Sequence, residues 1–277
     1  MDLPLGPILV RVEQMPIAWE PFVPQHYAPF ARPVAADRTA DLTIRCHEGR
    51  GIVVALPPPG GSTVIDVEPQ GPARFTIRSH WQDGWVDLAR GIGEVKLTER
   101  RYLPFRMSLE NFLRVASQLL LVERQAFLMH SAGVLDNERC YLMFGPSGAG
   151  KSTATANSAP RPALSDDMVL VDVSGDVPLA HAVPFFGAYP PLQRQRGAWP
   201  IAAALRLRQH QSERLERLSP ARAVATVSAS VPFVHELGIP SERLTRLVAR
   251  LCGAVPAYEL YLTKSARFWE LIETECP

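Results

Sequence analysis

The stretch CYLMFGPSGAGKST, Cys140–Thr153, places an apolar run directly before a glycine-rich turn and is the most informative segment of this 277-residue chain. Residues 145–152 match the pattern G-x-x-x-x-G-K-[ST] at every position. Glycines let the backbone wrap around a phosphate, so that successive N–H groups and the start of the next helix face the anion. The pattern predicts a strand, a phosphate-binding loop and a helix, in that order.

The loop residues have separate expected roles. Lys151 brings a positive charge to the β- and γ-phosphates of a nucleoside triphosphate, and the hydroxyl of Ser152 is placed to ligate Mg²⁺. The predicted cofactors are therefore ATP, or another nucleoside triphosphate, and Mg²⁺. The residues expected to bind them are Gly145, Pro146, Ser147, Gly148, Ala149, Gly150, Lys151, Ser152 and Thr153.

Two adjacent acids, Asp166 and Asp167, stand about fifteen residues after Lys151 and just before an apolar run. Acids at the edge of a strand can hold Mg²⁺ directly or through water, and one can accept a proton from an attacking hydroxyl. The alternative is an ordinary pair of turn acids that starts a hairpin. The short distance from a phosphate loop favours a metal and catalytic role, with Lys151 as the third candidate catalytic residue.

Other polar residues give weaker signals. His130 lies in the apolar run FLMHSAGVL, which by itself favours a core histidine with a satisfied hydrogen bond. Arg194 and Arg196 form a basic loop beside prolines that is able to hold a phosphate or an acidic substrate, although a solvated loop is the preferred interpretation. The Arg- and Gln-rich stretch Arg206–Arg217 is interpreted as a solvated helix face.

Residue patterns predict two domains, a β-rich N-terminal region over residues 1–105 and a nucleotide-binding domain over 106–277. In the first, residues 1–40 are expected to be irregular or a loose edge, and Pro57–Gly61 a loop. A 3.6-residue apolar stripe then predicts a helix over Ser108–Arg124 with Ser108 as its N-cap. The predicted strands of the first region are Leu42–Cys46, Gly51–Leu56, Thr63–Val67 and Arg74–His80.

For the second region we predict an α/β or α+β fold with a mixed sheet around the loop. The predicted strands are Ala126–Leu135, Cys140–Phe144, Met168–Val173, Val177–Phe185 and Ala257–Leu262. The predicted helices are Lys151–Ser158, Ser241–Cys252 and Ser265–Glu275.

Composition narrows the classes of protein. A net charge of +1 and 47% apolar residues describe an ordinary globular protein and give no electrostatic reason to expect nucleic acid or an anionic membrane as a partner. No apolar run reaches the roughly 18 residues of a membrane span, and the N-terminus lacks the basic segment of a signal peptide. We therefore expect a cytoplasmic protein. Its four scattered cysteines are expected to be reduced structural thiols.

The chain contains three motifs of interest: HSAGVL (130–135), YLMFGPSGAGKST (141–153) and LSDD (164–167), the last followed by a hairpin. Together they resemble the bacterial HPr serine kinase family. They resemble more closely the HPr-kinase-related proteins of peptide-modification and other biosynthetic clusters. The resemblance implies a fold like that of phosphoenolpyruvate carboxykinase and transfer of the γ-phosphate to a serine hydroxyl of a peptide, protein or small molecule. It also implies that one acid of the pair is the general base, that the other ligates Mg²⁺, and that His130 lines the same site.

The chain also departs from that family. Thr153 stands where the HPr kinases have Glu, and neither their C-terminal signature for HPr nor their N-terminal domain is recognised, so HPr is not the expected acceptor. One alternative is a nucleotide-binding regulatory or scaffold protein of a biosynthetic cluster, without phosphotransfer of its own. An ordinary P-loop ATPase or GTPase is disfavoured by the segment APRPAL before the acids, which is a poor strand. Members of the family tend to assemble, so the resemblance allows a homo-oligomer.

Overall fold

The computed structural model describes residues 1–16, 27, 29–31, 38–56, 64–98, 102–185, 187, 195–233 and 241–276. The chain forms two compact units, Met1–Glu123 with Phe233–Ile239, and Arg124–Pro232 with Pro240–Pro277. The predicted domain boundary at 105/106 stays a prediction, and the units in the structure divide after Glu123. Strands and helices mix in both units, and parallel and antiparallel pairs share each sheet, which confirms the expected mixed α/β architecture.

The first unit is a mixed sheet with a long helix. Its described elements are β1 (Asp2–Leu5), β2 (Ile8–Glu13), β3 (Leu42–Glu48), β4 (Ile65–Pro69), β5 (Arg74–Ser79), β6 (Gln82–Asp87), β7 (Ile92–Leu97) and α1 (Tyr102–Glu123). The strand order is β1-β2-β3-β7-β6-β5-β4, in which β3 runs parallel to both neighbours. Helix α1 packs on β5, β6 and β7, and Phe112 lies so close to Gly84 that a side chain there would collide with its ring.

The second unit is built around the longest strand. Its described elements are β8 (Ala126–Met129), β9 (Ser131–Asp136), β10 (Arg139–Phe144), α2 (Lys151–Asn157), β11 (Ala163–Ser165), β12 (Val169–Asp172), β13 (Leu179–His181), β14 (Ala198–Gln209), β15 (Arg214–Arg217), α3 (Pro220–Ser228), α4 (Ser241–Ala254), β16 (Ala257–Leu262) and α5 (Phe268–Glu275). Strand β14 pairs in parallel with β10 and β16 and antiparallel with β13. The order along the sheet is β11-β9-β10-β14-β13-β12-β8, and β16 adds β15 beside β14.

The strand order brings distant parts of this sheet together at His130. Strands β8 and β9 lie at or next to opposite ends of the order, yet only His130 separates them in the chain. The sheet must therefore curve until its two ends meet at that residue. The backbone N–H of His130 donates to the carbonyl of Ser230 at 2.7 Å, which fixes the junction against the turn that follows α3.

An aromatic cluster holds the helix after the glycine loop. The indole N–H of Trp269 donates to the hydroxyl of Ser158 at 2.9 Å, directly beyond the end of α2. Tyr141 meets the same indole edge to face, with ring centroids 5.4 Å apart. Because Tyr141 belongs to β10, the strand before the loop and the helix after it are both anchored to α5. The loop between them is thus held at both ends.

Most elements near the loop are where the sequence predicts them. The strand predicted at Ala257–Leu262 has the same bounds in the structure, and the predicted strand and helix that flank the loop correspond to β10 and α2. One predicted strand, Ala126–Leu135, is two strands that part at His130. Another, Val177–Phe185, shortens to β13.

Four predictions were wrong, and burial explains the first two. Residues 1–40 include the paired strands β1 and β2, whose buried apolar side chains outweigh the irregular composition. Residues 51–56 form no strand, since Ile52 and Leu56 are exposed and offer no buried face. Helix α1 begins at Tyr102, so Ser108 lies inside it and is no N-cap. The stretch Arg206–Arg217 is the end of β14 and strand β15, not a helix.

Three further points bear on the predictions. The predicted loop Pro57–Gly61 lies outside the described residues. Among the described residues, no helix combines the length and apolar character needed to cross a membrane. The four cysteines are free thiols, and burial raises the pKa of Cys252 and Cys276 to about 11.

Candidate functional site

A cavity of about 370 Å³ opens over the glycine loop, entirely within the second unit. Its lining combines candidate site residues from three separate sequence motifs with two residues that were not candidates. The lining residues are His130, Ser147, Gly148, Gly150, Lys151, Ser152, Thr153, Asp166, Asp167, Gly187 and Gln209. We call this space the loop cavity.

The glycine loop takes a shape that only glycine adopts easily. Gly148 has φ +78° and Gly150 has φ +105°, both in the region that side chains disfavour. No heavy atom of the described residues lies within 4 Å of where a Cβ at either position would be, so the described requirement for glycine comes from the backbone conformation. The amide of Gln209, at the end of β14, donates to the carbonyl of Gly148 at 2.6 Å and ties the loop to the central strand.

Lys151 is a buried cation in this cavity, with 9% of its surface exposed. Its ammonium donates to the carbonyl oxygen of Gly145 at 3.0 Å and lies 3.5 Å from that of Pro146. Burial lowers the pKa of Lys151 below its usual range, while the carboxylates of Asp167 and Asp166 act in the opposite direction. Burying a charge is costly without compensating partners, so the site is suited to an anion that approaches the ammonium.

The acidic pair is held by a turn that follows β11. The hydroxyl of Ser165 accepts hydrogen bonds from the backbone N–H groups of Asp167 and Met168, both at 3.1 Å. This local motif fixes the backbone at the point where the chain leaves the strand. Asp166 is buried, and Gly187 lies directly against its carboxylate, whereas Asp167 is 27% exposed and faces the cavity.

His130 and Asp167 form a contact across the cavity. The Nε2 of His130 is 3.1 Å from the Oδ1 of Asp167, and the imidazole is 44% exposed. The preference for a buried core histidine, drawn from the apolar run alone, was wrong because the run breaks at His130 and turns this side chain out of the core. An imidazole beside a carboxylate is a pair able to orient and exchange a proton.

The other predicted residues lie around this cavity without all lining it. Ala149 packs in the hydrophobic core, so only its backbone is available to a ligand. Gly145 and Pro146 line a neighbouring cavity, described below, together with Ser147 and His130. Arg196 is exposed and lines neither cavity, while Arg194 lies outside the described residues.

Two residues of the site carried no recognisable signal in the sequence. Gln209 reaches the loop only because β14 lies next to β10. Gly187 is one of eighteen glycines, and its role follows from the acid beside it. Ser165 belongs to the LSDD motif, so the sequence shows that it is next to the acids. It does not show the hydrogen bonds that Ser165 accepts.

The oxygen donors of the cavity suit Mg²⁺ in kind. Among the residues that the structure describes, no group of three or more His, Cys, Asp or Glu side chains is arranged to hold a metal ion. Magnesium is commonly held by one or two carboxylates with phosphate oxygens of the substrate and water, however. The hydroxyl of Ser152 and the carboxylates of Asp166 and Asp167 line one space and provide that chemistry.

A scan against protein-family models and a search of curated proteins found no match to this chain. The case for a function therefore rests on the residues of the site and on their geometry.

Proposed function

We propose that this protein is a Mg²⁺-dependent ATP-binding kinase of the HPr-kinase-like type, which transfers the γ-phosphate to a serine or other hydroxyl of a peptide, protein or small molecule. One observation carries the proposal. The phosphate-loop lysine, the acidic pair and His130 come from three motifs, and all of them line a single cavity. A phosphate loop alone binds a nucleotide, whereas a base beside it is what transfer to a hydroxyl also needs.

The loop would bind the triphosphate through its backbone N–H groups and through Lys151. The lysine charge neutralises the β- and γ-phosphates, and the hydrogen bond from Gln209 holds the loop in place before the nucleotide arrives. Preorganised groups of this kind stabilise the charge of the transition state without having to rearrange.

Ser152 and Asp166 are the residues we assign to Mg²⁺. When bound, the ion neutralises phosphate charge and holds the transferred group in position. Ser152 lies at the exposed start of α2, and Asp166 is buried beside Gly187 on the other side of the cavity. Its fixed position suits a ligand better than a base that must meet different acceptors.

Asp167 is the residue we assign as general base, with His130 as its partner. Asp167 faces the cavity, and its contact with the imidazole orients the carboxylate. The imidazole is also a second acceptor for the proton taken from the hydroxyl. In the transfer step, the acceptor oxygen bonds to the γ-phosphorus while the bond to the β,γ-bridging oxygen breaks. ADP leaves with that electron pair, and the hydroxyl proton passes to Asp167.

The strand arrangement favours an HPr-kinase-like protein over an ordinary P-loop ATPase. Strand β10, before the loop, has an antiparallel neighbour in β9 and a parallel one in β14. The strand that leads to the acids, β11, runs antiparallel to β9 and lies two places from β10. A mixed sheet of this kind fits a fold like that of phosphoenolpyruvate carboxykinase, as the resemblance implies.

A labelling assay tests the proposed function. The purified protein is incubated with γ-labelled ATP and Mg²⁺ against HPr, serine-containing peptides and free serine, with Lys151→Ala as a control. We expect label on one acceptor, and none with the control or with Asp166→Asn/Asp167→Asn, although the double variant still binds nucleotide. Transfer that survives in the double variant would disprove the mechanism. Tight nucleotide binding without transfer to any acceptor would instead favour the regulatory protein.

A further inference from the structure

A second cavity, of about 390 Å³, lies beside the loop cavity and is also built by the second unit alone. The two share His130 and Ser147, so they meet at the first half of the glycine loop. One wall is the end of β10 with the loop residues Gly145 and Pro146. The other wall is helix α3 and the turn after it. We call this space the side cavity.

The lysine of the loop marks where the reactive phosphate would lie. The ammonium of Lys151 contacts the carbonyl of Gly145, at the beginning of the loop, and Gly145 lines the side cavity. A lysine of this motif reaches the β- and γ-phosphates of a bound triphosphate. The transferable end of the nucleotide would therefore point to the boundary between the two cavities.

The proposed base lies at the same boundary. Asp167 lines the loop cavity and contacts His130, which lines both cavities. A hydroxyl that enters from the side cavity would thus meet the base and the γ-phosphate together. Such a position satisfies the geometric requirement for transfer, in which the reacting atoms are held next to each other.

The lining of the side cavity is small and apolar on the helix side, with a cation on the opposite side. Ala225 and Ala229 are one helical turn apart and leave room, and the hydroxyl groups of Thr226 and Ser230 lie among them. Arg206, on β14, contributes the positive charge. A cavity of this kind accommodates a short aliphatic segment that carries an anionic group.

A local excess of positive charge further favours a ligand with an anionic group. The buried carboxylate of Glu259 accepts from Arg206 at 3.1 Å and from Arg222 at 3.0 Å, and it also pairs with Arg208. Three guanidinium groups thus converge on one carboxylate, which leaves a net charge of +2 in this cluster. Arginine matches a carboxylate with a planar pair of N–H donors, so a second carboxylate is the natural complement.

We propose that the side cavity holds the phosphate acceptor, a molecule that bears a hydroxyl and a nearby carboxylate, and that Arg206 pairs with that carboxylate. The inference rests on the kinase function proposed above and adds its substrate class. The acceptor hydroxyl enters at His130, bonds to the γ-phosphorus as ADP leaves with the bridging oxygen, and gives its proton to Asp167. Two sources fit, a serine peptide with an acidic neighbour and a free hydroxy amino acid.

Three substitutions in the full chain test the proposal. Ala225→Phe fills the side cavity from an exposed helix position, and Arg206→Gln removes the cation while it keeps a polar side chain. Ala221→Phe is the matched control, because Ala221 is exposed on the same helix but lines neither cavity. Each protein is assayed with γ-labelled ATP and Mg²⁺, in one arm with a library of peptides that have a fixed central serine, in the other with free L-serine. Nucleotide affinity is titrated separately with a fluorescent ATP analogue.

We expect the native chain to label acidic peptides or free serine, with the productive arm identifying the source. Ala225→Phe should raise KM for that acceptor about tenfold or more, Arg206→Gln should remove the preference for a carboxylate by a similar factor, and neither should change nucleotide affinity. Ala221→Phe should behave as the native chain. Label transferred by Ala225→Phe as well as by the native chain would overturn the side-cavity assignment and leave the kinase standing. Nucleotide binding without transfer in either arm would overturn the kinase proposal, and with it this one.

Discussion

At the scale of single residues, Lys151 is the most constrained group of the site. It is a buried ammonium whose described hydrogen bonds go to its own loop, at Gly145 and Pro146, with two carboxylates nearby. A bound phosphate would offer the ammonium of Lys151 a negatively charged acceptor in place of a neutral carbonyl oxygen. Its surroundings therefore suit the lysine to respond to a bound anion more strongly than an exposed lysine would.

The lowered pKa of Lys151 gives a prediction on nucleotide binding. Because burial disfavours the ammonium, it loses its proton at a pH below the ordinary value of 10.5, and the neutral amine attracts phosphate less. Affinity for ATP should thus fall as the pH rises through this lowered pKa. Equilibrium titrations at a series of alkaline pH values check it. Lys151→Arg keeps its charge throughout, so a parallel fall in that variant would assign the effect to another group.

Gly187 gives a second prediction at this scale. A methyl group there would overlap with the carboxylate of Asp166 and lie 2.8 Å from the Cβ of Asp167. Gly187→Ala should therefore displace the acidic pair and lower the transfer rate by about a hundredfold or more, with nucleotide affinity largely kept. Gly175→Ala is the control, since the nearest atom to its Cβ would be 3.9 Å away. Equal rates for the two variants in the labelling assay would contradict the geometry.

At the scale of elements, strand β14 connects the site to the rest of the sheet. It carries Arg206 to the side cavity, Gln209 to the glycine loop, and two of the three arginines that surround Glu259 on β16. Burial raises the pKa of Glu259, but the hydrogen bond from Arg208 and the charges of the three arginines outweigh it, so the pKa lies below the usual range. An ionised carboxylate on β16 thus adds ion pairs to the backbone pairing of that strand with β14.

This cluster predicts how stability depends on pH. A carboxylate with a depressed pKa in the folded state stabilises the fold above its unfolded pKa of 4.5 and ceases to do so as the pH falls through the folded value. The free energy of unfolding should decrease as the pH is lowered below about 4.5, and Glu259→Gln should show a smaller decrease. At neutral pH, we expect that variant to lose about 2 kcal/mol through the weaker hydrogen bonds. Urea titrations of both proteins measure it, and parallel pH curves would exclude Glu259 as the source.

The same elements show what the sequence can and cannot predict. The glycine motif, with an apolar run before it, was enough to predict β10, the loop and α2, because local backbone requirements dominate there. The break at His130 was not visible, since both sides of it are equally apolar and only pairing with different strands separates them. In β14, the alternation of Leu205 and Leu207 with Arg206 and Arg208 has the two-residue period of a strand. The high charge favoured a solvated helix instead, because the local sequence does not show that a buried acid on β16 pairs with these arginines.

At the scale of the whole molecule, the loop cavity belongs to one unit. Every residue that lines it lies between His130 and Gln209, while the sheet of the first unit contributes none of the described lining. We therefore expect the proposed nucleotide site to be built by the second unit.

Hydrogen exchange with and without nucleotide tests this division. Ligand at about 100 times its Kd stabilises the state that binds it by about 2.7 kcal/mol. With ATP and Mg²⁺, we expect slower exchange in β10, α2 and the segment after β11, and unchanged exchange in β3, β6 and β7. Lys151→Ala should abolish the difference. Equal protection in the strands of both units would show that they respond to the ligand as one.

The meeting of β8 and β9 at His130 also determines when the site can exist during synthesis. These strands are consecutive in the chain, yet among the described strands β8 pairs only with β12. The N–H of His130 donates to the carbonyl of Ser230, a hundred residues later. Contacts between such distant positions form late, because a long stretch of chain must be ordered before they close. A nascent chain that has already exposed its glycine loop would therefore lack a placed histidine until Ser230 has left the ribosome. If the proposed function holds, the topology of the sheet would withhold phosphoryl transfer from incomplete chains.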